Sequence, residues 1–186
     1  FDTTICYLNR NKDIAQSLKD DLKVDETDLL MVQSYIMAGY YAEAAEMYAR
    51  FDPESVPQAL WPLFVNVSHR YYGEMSAYIS TDESAEEKLE WRDFYRGKLL
   101  AMTPEGSFDW YYLKREEADA AGDYDKVTEY AGKMVEVAQV NTHDYAKGCY
   151  FYQEALQDDD PQRVEWLVRS AVADVMCSVK DYTSLN

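Results

Sequence analysis

The chain has two histidines, His69 and His143, and histidine is the side chain most often used as a general base or zinc ligand. Neither histidine lies in an HExxH, GxSxG or glycine-rich phosphate-binding motif, and neither stands at a zinc-ligand spacing from a cysteine. We expect His69 to lie in the packing or on the surface of a helix, and His143 to lie at a helix start. The sequence therefore predicts no enzyme: we expect no catalytic residue, no metal site and no cofactor.

Three consecutive aspartates at positions 158–160 invite comparison with a calcium loop. The calcium-binding motif spaces its oxygen ligands around a central glycine, and both features are missing here. A capped, solvated turn is the favoured interpretation, because Asp160 precedes Pro161 and proline suits the first position of a helix.

The three cysteines, Cys6, Cys149 and Cys177, are far apart and form no CxxC or Cys/His spacing. We expect them to be small buried hydrophobic residues rather than ligands or disulfide partners. Cysteine content leaves the redox compartment open.

Charge excludes some classes of partner. The chain carries 35 Asp and Glu against 18 Lys and Arg, a formal net charge of −17. Nucleic acid and anionic lipid are poor partners for such a surface. No run approaches the roughly 20 apolar residues that a membrane-spanning helix needs. We expect the chain to be an excerpt of a longer protein, with any targeting or anchoring signal outside it.

Two segments share one pattern, in which a glycine is followed two residues later by an aromatic residue and three further on by a small apolar one. The pattern reads Gly39, Tyr41 and Ala44 in the first segment, and Gly122, Tyr124 and Val127 in the second. A glycine that ends one helix, an aromatic residue that opens the next and a small residue at their contact are typical of a helical hairpin. This arrangement is the tetratricopeptide (TPR) pattern.

Apolar residues recur at intervals of three and four in every segment long enough to judge, and no segment alternates as a strand would. One such stripe contains Val164, Leu167, Val168, Ala171 and Val175. Asp25 with Asp28 and Ser84 with Glu87 resemble capping boxes, and Ser107, Thr142 and Asp160 are further candidate caps. The pattern predicts about nine helices, near residues 3–20, 27–38, 41–51, 57–79, 84–102, 108–121, 124–140, 143–157 and 161–179.

The predicted fold is all-α, a tetratricopeptide-like superhelix of stacked antiparallel helix pairs forming one domain over residues 1–186. In such a stack the first helix of each pair lines a concave face. The repeat register places Leu29, Gln33, Tyr112, Glu116, Cys149 and Gln153 on that face. We predict Gln33, Tyr112, Glu116 and Gln153 as ligand-binding residues. The set lacks the Lys and Asn clamp with which some tetratricopeptide co-chaperones hold a C-terminal carboxylate, so an acidic peptide tail is disfavoured.

A narrower resemblance is carried by residues 91–96 (WRDFYR), 122–126 (GDYDK), 170–175 (SAVADV) and 178–185 (SVKDYTSL). With these segments the chain resembles the tetratricopeptide-like sensor region of an uncharacterised Bacteroidetes family of membrane-anchored regulators. The resemblance implies a signal peptide before the repeats, a transmembrane helix and coiled coil after them, and in some members a DNA-binding helix-turn-helix. It would place this region in the periplasm, and it supplies no ligand residues.

Three hypotheses for a non-enzymatic function follow. The first is a sensory module that binds a peptide, a partner domain or a small molecule. The alternative is a structural scaffold or adaptor that mediates protein–protein assembly, including self-association of the parent chain. The third is a cytoplasmic tetratricopeptide adaptor.

Overall fold

The computed structural model describes residues 2–78, 81–139, 143–156 and 162–176. The described residues form nine α-helices and no strand, which confirms the all-α, tetratricopeptide-like prediction. The helices are α1 (Asp2–Leu18), α2 (Asp21–Met37), α3 (Tyr41–Tyr48), α4 (Trp61–Tyr78), α5 (Asp82–Met102), α6 (Phe108–Ala120), α7 (Tyr124–Val137), α8 (His143–Ala155) and α9 (Arg163–Met176).

Helix starts agree with the prediction at Tyr41, Phe108, Tyr124 and His143. The Ser107 side chain caps α6, accepting a hydrogen bond from the backbone N–H of Trp110 at 3.2 Å as predicted.

Two predicted capping boxes are wrong. Helix α2 begins six positions before the predicted residue 27, because Asp20 is its cap and accepts from the N–H of Lys23 at 3.0 Å. Asp25 and Asp28 therefore lie inside α2. Helix α5 begins at Asp82, which places Ser84 inside that helix as well. The predicted caps at Thr142 and Asp160 lie outside the described residues.

The two glycine turns have the predicted conformation. Gly39 and Gly122 adopt φ of +79° and +70°, a region that a side chain disfavours. After each glycine the chain reverses, and the N–H of Tyr40 donates to the carbonyl of Tyr35 at 2.9 Å. Ala44 and Val127, the small residues of the pattern, are fully buried. The repeat pattern therefore identified both the turn and the helix contact that follows it.

The chain divides into two compact units after Met102. In the first unit α2 packs on α1, α3 and α4, and α4 packs on α5. In the second unit α7 packs on α6 and α8, and α8 packs on α9. A single domain over residues 1–186 stays a prediction.

Aromatic rings form much of the core of the first unit. Phe64 is fully buried, and Tyr48 and Tyr95 are 7% and 2% exposed. The ring of Tyr48 stacks on Tyr71 with centroids 4.1 Å apart, and that of Tyr95 stacks on Tyr72 at 5.8 Å. These contacts hold α3, α4 and α5 together.

A buried hydroxyl pair joins α3 to α4. The hydroxyl of Tyr48 donates to Oγ of Ser68 at 2.7 Å, and Ser68 donates to the carbonyl of Phe64 at 2.7 Å. Burial raises the pKa of the Tyr48 phenol, so it stays a neutral donor. We expect Tyr48→Phe to lower the free energy of unfolding by about 1 kcal/mol, measured by urea denaturation. Tyr41→Phe, which removes an exposed 3.2 Å bond to Glu74, is the control and should cost less.

Acidic residues at the start of α2 give the first unit a dependence on pH. Burial raises the pKa of Asp25, and the nearby Asp28 and Asp21 raise it further. A raised pKa in the folded state means that the folded chain favours protonated Asp25, and this stabilising contribution is lost as the pH rises through that pKa. We expect Asp25→Asn to be more stable than the parent at pH 7, and the difference to disappear below about pH 4. Urea titrations at both pH values measure it. A gain that persists in acid would contradict the assignment.

The core of the second unit contains three alanines and a methionine that are fully buried. Ala131, Met134, Ala146 and Ala155 are fully buried. The hydroxyl of Ser170 on α9 donates to the carbonyl of Gly148 on α8 at 3.0 Å. The backbones of α8 and α9 therefore approach closely at Gly148.

The predicted burial of the cysteines is wrong for Cys6, which is exposed on α1, and Cys149 is only half-buried. Cys6 lies on the solvent side of α1, whose one buried residue is Ala15. Cys177 lies outside the described residues.

Candidate binding face

Seven side chains of the second unit lie on one side of α6 or of α8, and contacts of Tyr145 with Phe108 and Tyr112 connect those two sides. On α6 the spacing of three and four residues puts its members on one side of the helix, and on α8 the members recur every fourth residue. We call this set the α6–α8 face; its residues are Phe108, Tyr112, Arg115, Glu116, Tyr145, Cys149 and Gln153.

Tyr145 connects the two helices. Its ring lies 6.5 Å from that of Phe108 and 6.3 Å from that of Tyr112, measured between centroids, with the planes at 61° and 47°. Burial raises the pKa of Tyr145, and the nearby Cys149 raises it further. The phenol is therefore a neutral hydrogen-bonding group at physiological pH.

Arg115 is the cation of the α6–α8 face. Its guanidinium carbon lies 5.6 Å from the ring centre of Tyr112, within the range of a cation–π contact. Burial lowers the pKa of Arg115, but Cys149 and the neighbouring tyrosines raise it by more, and the net shift is upward. The side chain therefore remains charged.

One hydrogen-bond donor of Arg115 has no acceptor in the part of the chain that the structure describes. The Nε atom is buried and has no hydrogen-bond partner among the described residues. Leaving a buried charged donor unpaired is costly, and a ligand acceptor could pair with it only if the side chains that cover Nε move. Next to Arg115, the hydroxyl of Tyr112 donates to Oε1 of Glu116 at 2.8 Å and fixes that carboxylate in place.

The structure brings three of the four predicted ligand-binding residues to this face. Tyr112 and Glu116 are half-buried on α6, and Gln153, nine-tenths buried, lies on α8. Gln33 is half-buried on α2 and belongs to the first unit. Placing Leu29 on the concave face was wrong, because its side chain is fully buried in the core of the first unit. Ligand binding by the four predicted residues stays a prediction.

Arg115 and Tyr145 were missed from sequence. A charged residue on a helix is usually solvated, and nothing in the immediate neighbourhood of Arg115 contradicts that reading. The available signal was spacing: Arg115 stands three residues after Tyr112 and seven after Phe108, which puts a cation on an aromatic side of α6.

The chemistry of the α6–α8 face suits recognition. Arg115 and Gln153 supply donors, Glu116 supplies an acceptor, and the rings supply apolar contact. Within the described ranges, no group of three or more His, Cys, Asp or Glu is placed to hold a metal ion. Across the same residues, no helix has both the length and the hydropathy to cross a membrane.

Comparison with known proteins places the chain in a family. A family model described as the SusR N-terminal TPR domain matches residues 1–186. No curated protein and no solved structure gives a significant match.

Proposed function

The chain belongs to the family of SusR N-terminal TPR domains, and from that membership we propose that it is the sensory, ligand-binding part of a membrane-anchored bacterial regulator. The α6–α8 face is the binding site in this proposal, and its ligand is a segment of a peptide or partner protein. The domain acts by binding alone, and the regulator's output region receives the signal. The sensor lies in the periplasm.

The observation that carries the binding site is the unpaired donor of Arg115. The α6–α8 face combines this half-buried cation with the rings of Tyr112 and Tyr145, and aromatic residues with arginine are the types enriched at the energetic centres of interfaces. A backbone carbonyl or side-chain oxygen of the ligand would accept from Arg115. Its apolar groups would lie against the rings.

The placement in a regulator rests on resemblance. The segments at 91–96 and 122–126 resemble those of Bacteroidetes membrane-anchored regulators, and the family's description puts the TPR domain at the N-terminus. An N-terminal sensor followed by an anchor and an output region fits both the resemblance of these segments and the description of the family. The acidic surface, with a net charge of −17, disfavours nucleic acid as a direct ligand.

A pull-down tests the proposal. The immobilised chain is exposed separately to envelope and cytosolic extracts of the native organism, and captured proteins are identified by mass spectrometry. We expect a partner from the envelope extract that is lost when Arg115 is changed. Capture from the cytosolic extract alone would contradict the periplasmic placement. A partner that is captured equally well after Arg115 is changed would contradict the α6–α8 face as the binding site.

The matched pair of variants is Arg115→Gln and Lys114→Gln. Both remove one positive charge from α6, and both cations lie over a ring, since Lys114 is 6.0 Å from the ring centre of Trp110. Lys114 pairs with Glu117 rather than facing α8. We expect Arg115→Gln to weaken binding of the captured partner by about tenfold or more, the value of a charge-assisted hydrogen bond, with Lys114→Gln near the parent. Isothermal titration calorimetry measures both, and equal losses would refute a specific role for Arg115.

A further inference from the structure

We draw no further inference here: the strongest candidate, the surface patch on α5 formed by the exposed rings of Trp91 and Phe94, carries none because nothing in the structure shows what covers it.

Discussion

Phe64→Ala should remove about 3–5 kcal/mol from the free energy of unfolding, the loss typical of a phenylalanine truncated in a packed core. Phe64 is fully buried on α4, and the rings around it are those of Tyr48, Phe51, Trp61 and Tyr95. Its centroid lies 5.7 Å from that of Trp61 and 6.0 Å from those of Tyr48 and Tyr95. Truncation would leave a cavity that these rigid rings fill poorly. The free energy of unfolding of a domain is only about 5–15 kcal/mol, so this one substitution removes a large part of it.

Urea denaturation followed by far-UV circular dichroism measures the loss, and fluorescence gives a second probe because Trp61 lies against Phe64. Phe94→Ala is the matched control, since Phe94 also touches Tyr95 but is 48% exposed. We expect the control to cost no more than about 1 kcal/mol. Similar losses for the two variants would mean that the aromatic core is not organised around Phe64.

The elements of this fold that sequence could predict are those whose causes lie within a few residues. Gly39 and Gly122 need a positive φ that disfavours other residues, and Ser107 caps the helix that follows it directly. The start of α2 was placed too late because Asp20, Asp25 and Asp28 are all plausible caps. The residues next to each aspartate do not show which of the three is the N-cap. In the structure Thr27 and Asp28 are bonded to α1 from inside α2, through the 2.6 Å ion pair of Lys12 with Asp28 and the 3.1 Å bond of Asn11 to Thr27, and Asp20 is the cap.

The sequence could not predict which side of each helix is covered by a neighbouring helix. Periodicity found the stripe on α9, but it gives no information on whether a stripe faces a neighbour or the outside. In the structure the smaller Ser170 and Ala173 face α8, and the valines point away from it. The candidate site shows the same limit. The repeat register placed Tyr112 and Glu116 on the face of α6, whereas the role of Arg115 depends on Tyr145 and Cys149, some 30 positions later in the chain.

Gly148→Val should destabilise the second unit by about 1–3 kcal/mol, the usual cost of overpacking. A Cβ atom at position 148 would lie 2.6 Å from Oδ1 of Asp174 and 3.7 Å from the Cβ of Ala173. The 3.0 Å bond from Ser170 to the carbonyl of Gly148 holds α9 at this distance. A valine therefore forces either Asp174 or the whole of α9 to move. The expected result is an earlier urea transition, measured by far-UV circular dichroism.

Gly97→Ala separates this packing effect from the general cost of glycine in a helix. Gly97 lies inside α5, and a Cβ there would meet no neighbouring atom within 4 Å. We expect Gly97→Ala to stabilise the chain by about 0.5–1 kcal/mol, because alanine loses less backbone entropy on folding. The two substitutions should therefore have opposite signs, although each adds side-chain atoms to a helical glycine.

A double-mutant cycle locates the strain. Asp174→Ala removes the carboxylate nearest to position 148, so it should recover part of the stability lost in Gly148→Val, beyond the sum of the two single effects. Full additivity would show that the strain lies between the backbones of α8 and α9 rather than at Asp174. A Gly148→Val variant as stable as the parent would show that the two helices are not in close contact.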